Sequence, residues 1–194
     1  MRISVLAMIA ALAMLSSSLV GCRSDVPPPP AKRKTSTAAS AAPPASGDVT
    51  ITVGQDAPEF SAVDQTGATL TLSALKGKPI VLYFYPMDET AGCTKEATSF
   101  RDAWKDFEKA GVVVIGVSSD SMDSHRLFAK NHDLPFHLVS DSEIKMAKAY
   151  GVPVRLGFYS RQTFLIGADG KVKKIYRNVD PSKHPADVLA DLGS

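Results

Sequence analysis

The chain has 194 residues, enough for one domain with appendages and too few for two ordinary domains. Its composition, 44% hydrophobic and 22% charged, is that of an ordinary globular protein, and a net charge of +2 without a dominant basic block argues against nucleic acid as a partner. The two cysteines, Cys22 and Cys93, are too few for a disulfide scaffold.

Met1 and Arg2 give the chain a positive start, and residues 3–21 that follow carry no charge. A short basic start before an apolar run predicts a secretory signal. A permanent transmembrane helix is the alternative, but Ser16, Ser17 and Ser18 dilute the second half of the run and leave the strongly apolar part too short. Leu19-Val20-Gly21-Cys22 resembles the lipobox of bacterial lipoproteins. That resemblance implies a signal peptide over residues 1–21, cleavage before Cys22, and a diacylglyceryl group on the Cys22 sulfur. Acyl chains of this kind anchor a protein to a membrane without a spanning helix. Arg23 stands where such lipoproteins often carry an Asp that retains them at the inner membrane. The expected location is the periplasm-facing cell envelope, with the outer membrane favoured.

Residues 22–49 are Cys22 followed by Pro, Ala, Ser, Thr and a few charges, including the prolines 27–30 and the pair Pro43-Pro44. Little here is large and apolar enough to offset the entropy of ordering, so this stretch is predicted to be a disordered tether of about 3 Å per extended residue.

Residues 50–194 form the predicted domain. Residues 79–85 are a continuous apolar run ended by Pro86, as in a strand buried on both faces, and residues 112–117 are a second such run. Between them Ala97, Phe100, Trp104 and Phe107 recur at three- and four-residue steps, one buried face of a helix. Residues 121–131 and 142–150 predict two shorter helices that start at serines, the second closed by Gly151. Residues 163–166 and 172–176 predict strands joined by a tight turn at Asp169-Gly170, and residues 185–192 a closing helix. Alternating strands and helices followed by a hairpin and a helix predict an α/β sandwich with a mixed sheet flanked by helices.

Extending the helical stripe four residues back from Ala97 reaches Cys93, which places this cysteine in the first turn and on the core side. Unpaired N–H groups at a helix start favour negative charge, and the thiolate is the nucleophilic form of cysteine. Thr90, three residues earlier, falls on the same side of the turn, where its hydroxyl could bond the sulfur and a substrate oxygen. Pro86 ends the strand without an N–H and offers a rigid apolar wall. A lone buried cysteine is more often structural; an unpaired one in an exported domain points toward a reactive thiol.

Pro86-Met87-Asp88-Glu89-Thr90-Ala91-Gly92-Cys93 is similar to the peroxiredoxin signature Pro-x-x-x-Thr-x-x-Cys. Tyr83-Phe84-Tyr85-Pro86, Gly92-Cys93-Thr94-Lys95-Glu96-Ala97, Leu134-Pro135-Phe136 and Ala149-Tyr150-Gly151-Val152 resemble the Q-type branch, also called bacterioferritin comigratory protein, and the likeness spans residues 53–193. It implies a thioredoxin-like sandwich, which the element order also fits although periodicity alone does not choose it. It implies a thiol peroxidase acting on hydrogen peroxide and organic hydroperoxides, with Cys93 as the reactive centre. It places the family's active-site arginine at Arg161, just before the strand 163–166, where a permanent charge could stabilise the thiolate and the peroxide oxygen. Met87 and Ala91 depart from the residues common in the branch. The larger departure is Thr98, which stands where many Q-type enzymes carry a resolving cysteine. The implied cycle therefore needs an external thiol and neither metal nor organic cofactor. A membrane-tethered redox sensor that passes oxidation to a partner protein is the alternative with the same chemistry.

The histidines 125, 132, 137 and 184 show no metal-ligand spacing, and His125 is expected to be structural. Asp88 and Glu89 are expected to be solvated, because a carboxylate beside Cys93 would oppose its ionisation.

Overall fold

The computed structural model describes residues 50–193. The expected signal peptide, Cys22 and the linker of residues 22–49 lie outside the described residues. Among the described residues no helix is long and apolar enough to cross a membrane.

Strand order follows burial. The apolar run becomes β3 (Ile80–Phe84), all five residues buried. It pairs in parallel with β4 (Val113–Ser118), which pairs in parallel with β5 (His137–Ser140). On its other side β3 pairs antiparallel with β8 (Gln162–Ile166), which pairs antiparallel with β9 (Val172–Tyr176). The sheet is thus mixed, in the order β5-β4-β3-β8-β9. Side chains alternate across it. Ile80, Leu82 and Phe84 join a core with Ile115, Val117, Tyr150 and Phe164. Val81, Tyr83 and Tyr85 join the opposite one with Cys93, Ala97, Phe100, Phe107, Phe128 and Val188. Two apolar cores on a two-sided sheet are the predicted α/β sandwich, of thioredoxin-like type. A hairpin of β1 (Ser61–Val63) and β2 (Thr69–Thr71), which the sequence pattern does not signal, precedes it.

The helical stripe is carried by two helices, not one. α1 (Ala91–Asp102) ends at Ala103, which has φ −90° and ψ 4°, and α2 (Trp104–Lys109) follows at once. The stripe survives the break because Phe100 and Phe107 still meet, with ring centroids 5.5 Å apart, while Trp104 is only half-buried. α3 (Met122–Asn131) starts as predicted, with Ser121 accepting from the Ser124 N–H at 3.2 Å.

The next helix starts later than predicted. α4 is Lys145–Ala149, because Ile144 takes a left-handed conformation (φ 58°) and the Asp141 carboxylate takes over the cap. Asp141 Oδ1 accepts from the N–H groups of Lys145 and Met146, and Oδ2 from Ala147 at 2.9 Å. Gly151 does close the helix. Its φ of 64° lets its N–H reach Lys148 O while the Val152 N–H reaches Ala147 O. A second small hairpin follows, β6 (Val154–Arg155) with β7 (Phe158–Tyr159).

The β8–β9 connection is residues 167–171, in which the Gly167 N–H bonds Lys171 O at 2.8 Å and closes a three-residue loop, not a two-residue turn. Gly170 N–H bonds Gly167 O at 2.8 Å, and Gly170 alone takes a left-handed φ, of 79°. This is the turn-plus-bulge solution, in which only one residue needs a positive φ. α5 (His184–Leu192) closes the chain as predicted.

Asp141 satisfies three backbone donors and also accepts from the Tyr159 hydroxyl at 3.0 Å. Replacing it with Ala strips the three backbone donors at once, while the Tyr159 hydroxyl keeps the Asp141 backbone carbonyl at 2.6 Å. Asp141→Ala is expected to lower unfolding free energy by about 2–4 kcal/mol in urea titration. A loss below about 0.5 kcal/mol would show that the helix has another cap.

Candidate active site

The site lies at the C-terminal end of β3. Tyr85, just past the strand, still donates its N–H to Val117 O at 3.0 Å. Pro86 has no N–H, so pairing with β4 stops there and the chain turns out of the sheet. It is half-buried, as a wall residue should be. After the turn, Thr90 takes the N-cap of α1 with extended backbone (φ −76°, ψ 145°). The Thr94 N–H is bonded to Thr90 O at 2.8 Å. Cys93 is therefore in the first turn, where backbone N–H groups lack helical acceptors.

Cys93 faces the core as predicted and is 2% exposed. It is the only cysteine among the described residues and is unpaired. Its partner is Arg161, whose Nη2 lies 3.3 Å from Sγ. The contact joins residues 68 positions apart. The β3–β8 register makes it: Gln162 pairs with Phe84, so Arg161 lies one residue beyond the end of the ladder, level with the turn into α1.

The other arm of the same guanidinium, Nη1, donates to Glu96 Oε2. Glu96 is fully buried one turn after Cys93, and the reading of the sequence did not single it out. The signal was its place in the helical stripe, one residue before Ala97: a charged residue at a core position implies a buried partner. Burial pushes the Glu96 carboxyl up to about 7, against the pull of Arg161. Its second oxygen, Oε1, is buried with no hydrogen-bond partner among the described residues, which adds to the cost of charging it. Burial alone would lower Arg161, but the charges of Glu96 and Cys93 outweigh it and hold the guanidinium above its ordinary value.

Thr90 differs from expectation. Its Oγ1 donates to Met87 O at 3.0 Å, so its proton is engaged on the loop backbone and not on the sulfur. Its lone pairs remain for a substrate donor. Gly92 is exposed, and a methyl group placed there would come 3.4 Å from Arg161 Nη2, so its bare backbone keeps the approach to the guanidinium open. An open groove of about 580 Å³ runs along the outer side of Arg161, lined by Ser160 and residues 177–180.

The expectation for Asp88 is overturned. It is 5% exposed and accepts from the Tyr85 hydroxyl, the Ser124 hydroxyl and His125 Nδ1. Burial works to raise its carboxyl, but the hydrogen bonds from His125, Tyr85 and Ser124 hold it below the usual range. Glu89 is exposed as expected, with φ 57°, and pairs with His132 and Asn131. His125 is fully buried, in keeping with a structural role. His184 is buried against Thr163 Oγ1, and burial pushes it down to about 4. Among the described residues no group of three or more His, Cys, Asp or Glu side chains is arranged to hold a metal.

The sequence profile of the AhpC/TSA family matches residues 53–175. The chain belongs to the AhpC/TSA family. The chloroplast peroxiredoxin Q of Populus jackii is 48% identical over 147 residues, covering 74% of this chain and 69% of that protein. The peroxiredoxin bcp of Coxiella burnetii is 42% identical over 151 residues, covering 74% of this chain and all of that one. Among solved structures, the bacterioferritin comigratory protein of Xanthomonas campestris superposes with a TM-score of 0.66 at 35% identity, over 69% of this chain and 90% of that chain. This peroxiredoxin is therefore an enzyme, a thiol-dependent peroxidase, and the resemblance read from residues 86–93 is borne out.

The Glu96–Arg161 pair makes stability depend on pH. Folding raises the Glu96 value from 4.5 to about 7, so between these values the folded chain holds a proton that the unfolded chain has released. The contribution of Glu96 to stability is then full below pH 4.5 and falls as pH rises to about 7, by about 3 kcal/mol. Urea unfolding of wild type and Glu96→Gln at pH 4.5, 6 and 8 is expected to show the wild-type advantage shrinking by that order. An advantage constant across the range would show that Glu96 stays ionised throughout.

Proposed function

We propose that Cys93 reduces hydrogen peroxide and organic hydroperoxides by a one-cysteine cycle, with the reducing thiols supplied from outside the chain. The 3.3 Å contact between Arg161 Nη2 and Cys93 Sγ carries this reading. A fixed positive charge beside the sulfur stabilises the charge that grows on the departing oxygen. The thiolate attacks one oxygen of the hydroperoxide, the O–O bond breaks, and the other oxygen leaves with a proton as water or alcohol. Cys93 becomes a sulfenic acid. A first external thiol displaces water to form a mixed disulfide. A second attacks that disulfide, releasing the Cys93 thiol and an external disulfide.

The cycle is assigned to one cysteine because Thr98 occupies the second turn of α1, its hydroxyl bonded to Thr94 O at 2.8 Å. Cys22, the only other cysteine, would be a thioether if lipidated. The Xanthomonas campestris relative is described for alkyl peroxide reduction, which supports organic hydroperoxides as substrates here. The lipobox resemblance at residues 19–22 supports lipid anchoring at the cell envelope, facing the periplasm, where the enzyme would serve antioxidant defence.

Stopped-flow oxidation by hydrogen peroxide tests the chemistry. Cys93→Ser is expected to abolish turnover, and Arg161→Ala to lower the oxidation rate by about 10²–10³-fold. Turnover that survives Cys93→Ser would end the assignment. Intact mass spectrometry of membrane-extracted protein tests the anchor. Cleavage before Cys22 with added acyl mass is expected, and Cys22→Ala should move the protein to the soluble fraction. An unmodified Cys22 in the membrane fraction would refute the tether.

A further inference from the structure

Cys93 and Arg161 are brought together by the sheet, but the loop that delivers Cys93 is held by something else. Residues 86–90 leave β3 and form no strand or helix of their own. Glu89, inside this loop, takes a left-handed backbone that side chains rarely adopt. Such a segment keeps its shape only if its surroundings fix it.

The fixing contacts converge on Asp88. Its Oδ1 accepts from Tyr85 OH at 2.7 Å, and its Oδ2 from Ser124 Oγ at 2.7 Å and from His125 Nδ1 at 2.9 Å. An ionised carboxylate only accepts, so His125 carries its proton on Nδ1. Its Nε2 is buried without a partner among the described residues, and the Tyr85 hydroxyl also lies 3.4 Å from Nδ1, so Tyr85, Asp88 and His125 form one buried cluster. The backbone N–H of Asp88 is also held, by Asp120 Oδ2 at 2.9 Å, and Asp120 is itself braced by Ser118 Oγ. One residue after Asp88, the Glu89 carboxylate reaches Asn131 and His132 at the far end of the same helix. α3 thus grips the loop at both ends. From Asp88 the constraint runs through Met87 O and Thr90 Oγ1 to the N-cap of α1, and from there to Cys93.

We infer that Asp88 is a positioning residue for the peroxidase reaction and that α3, through Ser124 and His125, is the splint that sets the Cys93 sulfur against Arg161. Asp88 touches none of the reacting atoms. It acts on geometry, and misplacing a reacting atom by 1 Å costs about a hundredfold in rate. The inference rests on Cys93 being the peroxide-reactive thiol.

The test compares two reactions of the same sulfur in the folded enzyme. Oxidation by hydrogen peroxide needs Cys93 aligned with Arg161, whereas alkylation by iodoacetamide needs only an accessible thiolate. Asp88→Ala is expected to slow oxidation by about a hundredfold while alkylation falls less than threefold or rises. Asp88→Asn should recover most of the loss, because the imidazole can exchange its proton between nitrogens and the serine hydroxyl can rotate to suit an amide. Ser124→Ala removes a single donor at a half-buried position and keeps the test alive if Asp88→Ala does not fold. It should slow oxidation about fivefold at unchanged alkylation. Oxidation within twofold of wild type in Asp88→Ala, or in Ser124→Ala where the former does not fold, would overturn the inference. So would a parallel fall of both reactions. A wild type that reacts no faster with peroxide than a free thiol would instead bring down the peroxidase reading, and this inference with it.

Discussion

The guanidinium of Arg161 is shared between two acidic groups that have almost no other claim on water. Glu96 is fully buried and Cys93 nearly so. They stand three residues apart on one face of α1, so a cation that satisfies the carboxylate necessarily lies beside the sulfur. A buried carboxylate without its partner is costly, which ties the folding of this region to the arrangement the chemistry needs. Glu96 fixes one edge of the planar fork and leaves the other to Cys93. Lysine, with a single point of charge on a flexible stem, could not divide itself in that way.

The sheet makes that contact possible. The fully buried β3 sets where α1 begins, and its antiparallel neighbour β8 starts one residue after Arg161. The ends of both strands therefore reach the same level. The loop between β3 and α1 is the least regular part of the site and the most heavily braced, with a left-handed Glu89 next to a buried Asp88. A rigid scaffold carrying an irregular but over-determined loop is a common way to hold reactive groups in one geometry.

Burial also shapes the second half of the cycle. At 2% exposure the Cys93 sulfur admits a molecule the size of peroxide more readily than a protein thiol. With Thr98 in place of a nearby second thiol, Cys93 has no thiol partner among the described residues, and the proposed external reductant rests on that. A small thiol, or local opening of the first turn of α1, meets that geometry.

Much of this was legible in the residues themselves. The apolar runs, the helical stripe and the spacing of Pro86, Thr90 and Cys93 are local patterns, and local sterics and burial translate them directly into strands, a helix and a core-facing cysteine. Gly151 and Ser121 read correctly as helix ends for the same reason. What the sequence could not reveal depends on residues far apart in the chain. Asp88 reads as a solvated acid until α3 supplies Ser124 and His125 from 36 and 37 positions away. Thr90 reads as a donor to sulfur until the loop folds back and offers Met87 O. The start of α4 reads as Ser142 until Asp141 captures its first N–H groups. Which polar group meets which is settled by strand register and helix packing, because a hydrogen bond forms only where the fold brings donor and acceptor within about 3 Å. The sequence determined that Cys93 lies at a buried helix start; the tertiary structure decided which charges stand beside it and what holds it in place.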